Sequence, residues 1–398
     1  MLSSGDKRGT MANMTIYVDV SSAVHTKAGI GRYAESLAKA LLARQPGRVS
    51  LFYNRGRATQ PPAGLGSVPR RTIRAGYKPW RMAVWLGHLG GLSFNRLVPG
   101  AELFHATEHL LPPLRGVPTV LTVHDMIFKL FPEHQKRLNY LYLNATMPLY
   151  CRKADAIITV SQSSKRDIVA HYGLDPAKVT VVYEAANPEF APLLPGAIEE
   201  ARRRYGLPDQ FLIHVGTIEP RKNLTRLVEA LQRLRDEGKA IPLVVVGGKG
   251  WLYDEFFRRL QGLDVRSDVH FSGYVPSADL PLLVGAATAA VMPSVYEGFG
   301  LPVLEAMGCG TPVACSNASS LPEIGGDAAR YFDPYDVEAM ALAIREVWID
   351  PELRAEMRIR GLLQAGRFSW DRAAQETLAV YQPLLKGSQV RIDMVPAS

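Results

Sequence analysis

The 398-residue chain is too long for one ordinary core, because single domains run to about 100–200 residues, so two domains are expected. Hydrophobic residues at 47% and charged residues at 21% exclude a mainly disordered or collagen-like chain. Residues 1–190 carry 24 Lys and Arg against 12 Asp and Glu, and residues 191–398 carry 22 against 26, so a half at +12 precedes a half at −4. Such asymmetry turns the first half toward something acidic, whether nucleic acid, an anionic membrane face or a phosphorylated substrate; solubility alone is the other reading.

The opening M-L-S-S-G-D-K-R-G-T-M-A-N-M has no apolar run of the secretory kind, and ordered structure is expected from about Met14. Strands are expected at Thr15–Ser22, Val49–Tyr53, Glu102–His105, Thr119–Val123, Ala156–Val160 and Val179–Tyr183. A glycine turn and a helix over Ile30–Ala43 follow the first of them. Ser161 and Ser163 are candidate N-caps for a helix running to about Tyr172. Between Asn187 and Pro208 four prolines punctuate the chain, and the domain boundary is set there, at 190/191.

The alternation then restarts with a strand at Phe211–Gly216, a helix over 222–236, the strand I-P-L-V-V-V-G-G and a helix over 251–260. A strand at 269–272, a helix at 277–287, a strand at 288–292, a helix at 301–307 and a strand at Thr311–Ala314 complete the series, with charged helices beyond Asp336. The longest apolar stretch, Leu280–Tyr296, has 17 residues and two prolines, short of the ~20 that a membrane-spanning helix needs. Cys151, Cys309 and Cys315 are odd in number and lack metal-ligand spacing, which favours a reducing cytoplasm. The fold class is α/β: two Rossmann-like, doubly wound parallel sheets in series, facing a cleft lined by the carboxyl ends of their strands.

Four motifs lie at such strand ends. Gly29-Ile-Gly31-Arg-Tyr-Ala fits the dinucleotide pattern, but Asn54-Arg-Gly-Arg stands where a ribose-binding acid belongs, so NAD is set aside and an anion-binding turn is kept. His124-Asp125 ends the T-V-L-T-V strand. Gly216-Thr217-Ile-Glu-Pro-Arg221-Lys222-Asn-Leu puts two cations beside a helix start, where they suit a diphosphate better than the helix dipole. Tyr296-Glu297-Gly298-Phe299-Gly300-Leu301-Pro-Val-Leu-Glu305-Ala combines close-approach glycines, a helix N-terminus aimed at an anion and two carboxylates. Gly247-Gly-Lys-Gly250 lacks the hydroxyl residue of a phosphate-binding P-loop. No D-x-D and no metal-spaced cluster occurs, leaving Arg221, Lys222 and backbone dipoles to neutralise a leaving diphosphate.

The E-x₇-E pair Glu297 and Glu305, the Arg221-Lys222 pair, the early G-x-G and His124-Asp125 together resemble the retaining glycosyltransferases of family four, over about residues 14–385. The resemblance implies the GT-B fold, with the acceptor held by residues 14–190, the nucleotide-sugar by 191–369, and a helix from about 370 to 398 crossing back. It implies Glu305 on the ribose hydroxyls, Glu297 facing the donor sugar, Lys222 with Arg221 on the diphosphate, His124 near the reacting centre and Gly31 near the phosphates. Gly29, Asp125, Gly216, Thr217, Gly298, Phe299, Gly300 and Leu301 complete the expected site. Many members carry Arg where Thr217 stands, and whether Arg221 supplies that charge is left open by the sequence.

The phrase with Glu219-Pro220 is most similar to mannosyltransferase-like members of bacterial surface-polysaccharide synthesis, which leans the donor toward GDP-mannose, with no other cofactor and no metal. The acceptor is then a glycan or a lipid-linked sugar, and no nucleic acid is involved. The segment Tyr77–Arg96 mixes Trp80, Trp85 and Phe94 with Lys78, Arg81 and Arg96, which suits peripheral contact with an anionic membrane; a core-facing helix with a basic edge is the alternative. Two rival functions are a GT-B nucleotide-sugar epimerase and a basic nucleic-acid-binding protein, although no RRM, KH or helix-turn-helix pattern is present.

Overall fold

The computed structural model describes residues 15–25, 29–56, 60–62, 64–273 and 275–385; the expected start at Met14 and the end of the crossing helix, 386–398, lie outside the described residues. Two sheets follow one another along the chain. The first contains β1 (Thr15–Asp19), β2 (Val49–Asn54), β3 (Arg70–Ile73), β4 (Ala101–Ala106), β5 (Thr119–Val123), β6 (Ala156–Thr159) and β7 (Val179–Val181), in the order β3-β2-β1-β4-β5-β6-β7. The second contains β8 (Leu212–Val215), β9 (Leu243–Val246), β10 (Val269–Gly273), β11 (Ala289–Met292), β12 (Val313–Ser316) and β13 (Ala329–Phe332), in the order β10-β9-β8-β11-β12-β13. Every pairing is parallel. Helices cover both faces, which is why β5 (T-V-L-T-V) and β9 (L-V-V-V) are buried at every position.

The two strands that sequence patterning missed, β3 and β13, are both edge strands. An edge strand has one neighbour and little to bury; β3 reads R-R-T-I and is exposed at its first three positions. The helix over Arg137–Lys153 was also unexpected, since Pro148 interrupts its sequence. Only Ser161 caps the helix Gln162–Tyr172, its hydroxyl accepting the Ser164 amide at 3.0 Å, while Ser163 lies inside the first turn. The helix expected over 222–236 begins at Leu224 instead. Pro220–Lys222 forms a separate 3₁₀ turn, and Asn223, in the left-handed region at φ 56°, divides the two.

The helix Trp370–Tyr381 returns to the first sheet and packs on the helix Gly29–Arg44. Arg44 pairs with Asp371 through two bonds of 2.6 and 2.5 Å. At its far end the Tyr381 hydroxyl lies 2.6 Å from His105 Nδ1, beneath β4. His105 is fully buried, and burial pulls its pKa down to about 3, so a neutral ring joins Tyr381 to Thr122. Between the sheets, Tyr183, Phe299 and Phe368 pack together, with Phe299 6.1 Å from Phe368.

Candidate active site

In open parallel sheets, ligands bind outside the carboxyl ends of the strands where the strand order reverses direction. That point falls between β1 and β4 in the first sheet and between β8 and β11 in the second. The loops leaving these four strands carry most of the residues singled out above, and they meet.

On the second sheet, the loop after β8 delivers Arg221 and Lys222, and the loop after β11 delivers Glu297. Arg221 Nη1 and Lys222 Nζ each lie 2.6 Å from a different oxygen of Glu297, and Arg221 also grips Glu219 Oε1 at 2.6 Å. Burial alone would raise the Glu297 pKa, but Arg221 and Lys222 overcome it and hold the carboxylate at about 2. Burial lowers the Lys222 pKa, partly offset by Glu297, while the paired acids keep Arg221 above its ordinary value despite burial. Gly216 gives close quarters here: a Cβ would lie 3.3 Å from both His214 Nε2 and Lys222 Cε, so one of them would have to shift. The Gly247–Gly250 stretch, unsuited to a P-loop, props this turn from beneath. A Cβ on Gly247 would come 2.0 Å from the Gly216 carbonyl, and one on Gly250 2.5 Å from Thr217 Cγ2.

The helix Leu301–Gly308 starts where expected, with Gly300 at φ 111° and Pro302 in its first turn. The loop before it is less open to an anion than its composition implies, because the Glu297 amide already donates to Ser319 Oγ at 2.8 Å. Glu305, 3% exposed, receives Arg32 Nη1 from the first sheet's side at 2.5 Å on Oε1; no partner reaches Oε2 among the described residues. Burial raises its pKa against the pull of Arg32. Gly29 and Gly31 open the helix that carries Arg32; Gly29 is exposed and Gly31 buried. Arg32, between the glycines and Tyr33, is the group the motif pattern passed over.

On the first sheet, His124 follows β5. Its Nε2 donates to the Thr107 carbonyl at 2.9 Å and its Nδ1 faces Glu184 Oε1 at 3.3 Å. Burial disfavours its charge, but Glu184 prevails and the pKa rises above the usual value, with both nitrogens occupied. Glu184 is another residue the motifs did not reveal; it lies after β7, 60 positions from His124. Asp125 Oδ1 accepts the Ile127 amide at 3.0 Å. Gly298 seals the two halves together: a Cβ there would stand 2.6 Å from the His124 carbonyl and 3.0 Å from Asp125 Cβ. Its own carbonyl accepts the hydroxyls of Ser161 and Ser164 at 2.7 and 3.2 Å. Phe299 and Leu301 are buried, and Phe299 faces the aromatic trio between the sheets.

No group of three or more His, Cys, Asp or Glu able to hold a metal occurs among the described residues, and no helix there is long and apolar enough to cross a membrane. The helix Tyr77–Leu89 differs from its expected aromatic-basic character. Trp80 is buried, and Arg81 stacks over Tyr142 at 3.9 Å and bonds Asn139. It exposes Met82, Leu86 and Leu89 along with Lys78, and Leu92 and, on the helix Arg137–Lys153, Leu138 and Leu141 are exposed as well.

Comparison with known proteins agrees with this geometry. Residues 28–190 match the family described as Glycosyltransferase Family 4, and residues 197–363 match Glycosyl transferases group 1. The chain is 32% identical to the O-antigen chain mannosyltransferase B of Escherichia coli over 89% of its own length and 96% of that protein's. It is also 32% identical to the serotype-specific mannosyltransferase WbdA of Escherichia coli, over 70% of this chain and 35% of that one. Among solved structures, Anabaena Alr3699/HepE in complex with UDP and glucose superposes with a TM-score of 0.71 at 20% identity, covering 93% of this chain and 99% of that one. WaaG, a glycosyltransferase involved in lipopolysaccharide biosynthesis, gives 0.69 at 18%, covering 94% and 100%; at these identities both likenesses speak for the fold alone. The chain belongs to the family-four glycosyltransferases of GT-B fold, and its activity is glycosyl transfer.

Proposed function

We propose that this glycosyltransferase moves mannose from GDP-mannose, with retention of configuration and without a metal ion, to a glycan or lipid-linked acceptor in the building of a bacterial surface polysaccharide. The observation that carries the reading is the Arg221–Lys222–Glu297 network at the switch point of the second sheet, facing His124 across the cleft. The donor's kind follows the mannosyltransferases to which the chain is similar.

In this reading the ribose hydroxyls donate to Glu305 Oε2, the oxygen without a partner among the described residues, while Oε1 stays on Arg32. The diphosphate displaces Glu297 from part of the Arg221 and Lys222 shell, and the two cations meet its growing charge as the sugar leaves. The bond from the anomeric carbon to the diphosphate breaks, the acceptor oxygen bonds to that carbon on the same face, and the acceptor proton passes to the departing diphosphate. No covalent role is assigned to Glu297, whose oxygens pair with Arg221 and Lys222 before the donor binds. His124, with both nitrogens in use, offers the donor no free hydrogen bond, and Glu184 favours its charged form.

The enzyme would work against the inner face of a membrane, seated by the Met82, Leu86 and Leu89 stripe with basic Lys78 beside it. The test of the main reading is a transfer and thermal-shift screen over GDP-, UDP-, ADP- and dTDP-sugars with a chelator present, with the anomeric configuration of the product read by NMR. Transfer from GDP-mannose with retention supports it; inversion, chelator-sensitive turnover or donor isomerisation without transfer overturns it.

A further inference from the structure

We propose that Asp19 and Glu108 form the acceptor subsite of the cleft, taking hydrogen bonds from the hydroxyl groups of a neutral sugar; this rests on the glycosyl-transfer reading above and names the residues on its acceptor side. Asp19 ends β1 and Glu108 follows β4 by two residues, so the pair stands at the switch point of the first sheet. They are 1% and 3% exposed. Thr107 ties them to the reacting centre: its hydroxyl donates to the Asp19 carbonyl at 2.5 Å, and its own carbonyl accepts His124 Nε2 at 2.9 Å.

Each acid uses one oxygen and leaves the other alone. Asp19 Oδ1 accepts the Ser21 amide at 2.8 Å, and Glu108 Oε2 the Tyr77 hydroxyl at 3.4 Å. Asp19 Oδ2 and Glu108 Oε1 have no partner among the described residues, nor does Asn54 Oδ1, at the end of neighbouring β2. Three buried oxygens on adjacent strand ends without a partner among the described residues hold their desolvation cost uncompensated until a ligand rich in hydroxyls arrives.

The ligand's class follows from what would fail there. A phosphate or carboxylate would meet two acids that take on negative charge as pH passes 7 to 8. A divalent ion lacks a third His, Cys, Asp or Glu among the described residues. Burial raises Asp19 to about 7, and burial with the neighbouring Asp19 charge raises Glu108 to about 8, so near neutrality the pair shares protons and both donates and accepts, as the hydroxyls of a neutral polyol do. Vicinal hydroxyls supply the missing donors, and Thr107 places that sugar next to the histidine.

The experiment uses the full chain saturated with GDP, with α-mannobiose as probe, its binding followed by saturation-transfer NMR. Asp19→Asn and Glu108→Gln preserve shape and are checked by melting temperature; Asn keeps an acceptor for the Ser21 amide. Each variant is expected to weaken mannobiose at least tenfold while GDP affinity stays within twofold. Deoxy-mannobioses lacking one hydroxyl should lose the same factor in the parent and nothing further in the matching variant. Unchanged mannobiose binding in folded variants, equal losses for GDP and mannobiose, or no mannobiose binding by the parent overturns the subsite. Failure of the glycosyl-transfer reading shows up separately, as absent turnover in the donor screen.

Discussion

Arg32, on the helix after β1, and Glu305, on the helix after β11, meet at 2.5 Å across the cleft, one residue from each sheet. The bond spans the two halves, so it is a latch, and it leaves Glu305 Oε2 without a partner among the described residues. Removing Arg32 leaves Glu305, 3% exposed, as a buried carboxylate without a counterion. Arg32→Ala is expected to cost about 1–3 kcal/mol of stability, and Arg32→Ala with Glu305→Ala to recover part of it. Denaturant titration of the double-mutant cycle checks this; additive losses would remove the latch.

Kinetics should separate the acids from the clamp. Lys222→Ala is expected to lower kcat by about 10²–10³, because its contact tightens as the diphosphate leaves. Glu305→Ala should act on donor binding instead, by the ~1.5–3 kcal/mol of a charge-assisted hydrogen bond. Glu297→Ala falls between the two and also strips the counter-charge from Arg221 and Lys222, so GDP should bind more tightly than to the parent. Steady-state rates with GDP inhibition constants read all three, and near-normal turnover in Lys222→Ala would remove the clamp from the mechanism.

The pH dependence of stability has opposite signs at the two switch points. The Glu297 pKa is depressed in the fold from 4.5 to about 2, so its contribution is present above pH 4.5 and is lost as pH falls through 2. The shift is worth about 3 kcal/mol, and Glu297→Gln should flatten that acid limb. Asp19 and Glu108 are raised to about 7 and 8, so their contribution is full below their unfolded values near 4 and is lost as pH rises through 7 to 8. Asp19→Asn and Glu108→Gln should therefore flatten the alkaline side. Urea midpoints from pH 2 to 9 supply the measurement.

Gly298→Ala places a methyl 2.6 Å from the His124 carbonyl, a distance real Cβ atoms essentially never show. The backbone of either half is too firmly held to yield cheaply, so the halves should part. The variant is expected to keep its fold and donor affinity and to lose at least tenfold in transfer, with a larger radius of gyration in solution scattering. Parent-like activity would mean that the approach of Gly298 to His124 is not needed for transfer.

Membrane seating is tested by Leu86→Glu with Leu89→Glu, which should abolish binding to phosphatidylglycerol vesicles at low salt and spare transfer to a soluble acceptor. Lys78→Gln should weaken binding by about 1 kcal/mol, and Arg81→Gln should have less effect, since Arg81 is already held by Asn139 and Tyr142. Equal vesicle binding by the Leu variants and the parent would discard the surface.

The sequence announced the second sheet's side of the site more fully than the first's. Arg221, Lys222, Glu297 and Glu305 sit in two compact phrases whose glycines and prolines betray the path of the backbone. Arg32, Glu184, Asp19 and Glu108 do not, because Arg32 is a single polar residue in the first turn of a helix, the others stand singly at or just after strand ends, and the meaning of each comes from a partner far along the chain. Arg32 and Glu305 are 273 positions apart. Strands such as β5 and β9 declare themselves by apolar runs, whereas β3, R-R-T-I, and β13, A-R-Y-F, are edge strands broken by charge and had no such pattern to offer.

The return of the helix Trp370–Tyr381 bears on how the chain is made. Tyr381 is fully buried and completes the hydrogen bonding of His105, beneath the central strands of the first sheet. A ribosome releases residue 381 long after it has released β1 through β7, and until then the helix Gly29–Arg44 keeps an uncovered apolar flank and His105 Nδ1 lacks the Tyr381 hydroxyl. The half synthesised first is therefore the half finished last. Its maturation waits on the whole of the second sheet, and a chaperone that shields this flank during elongation meets the need the topology creates.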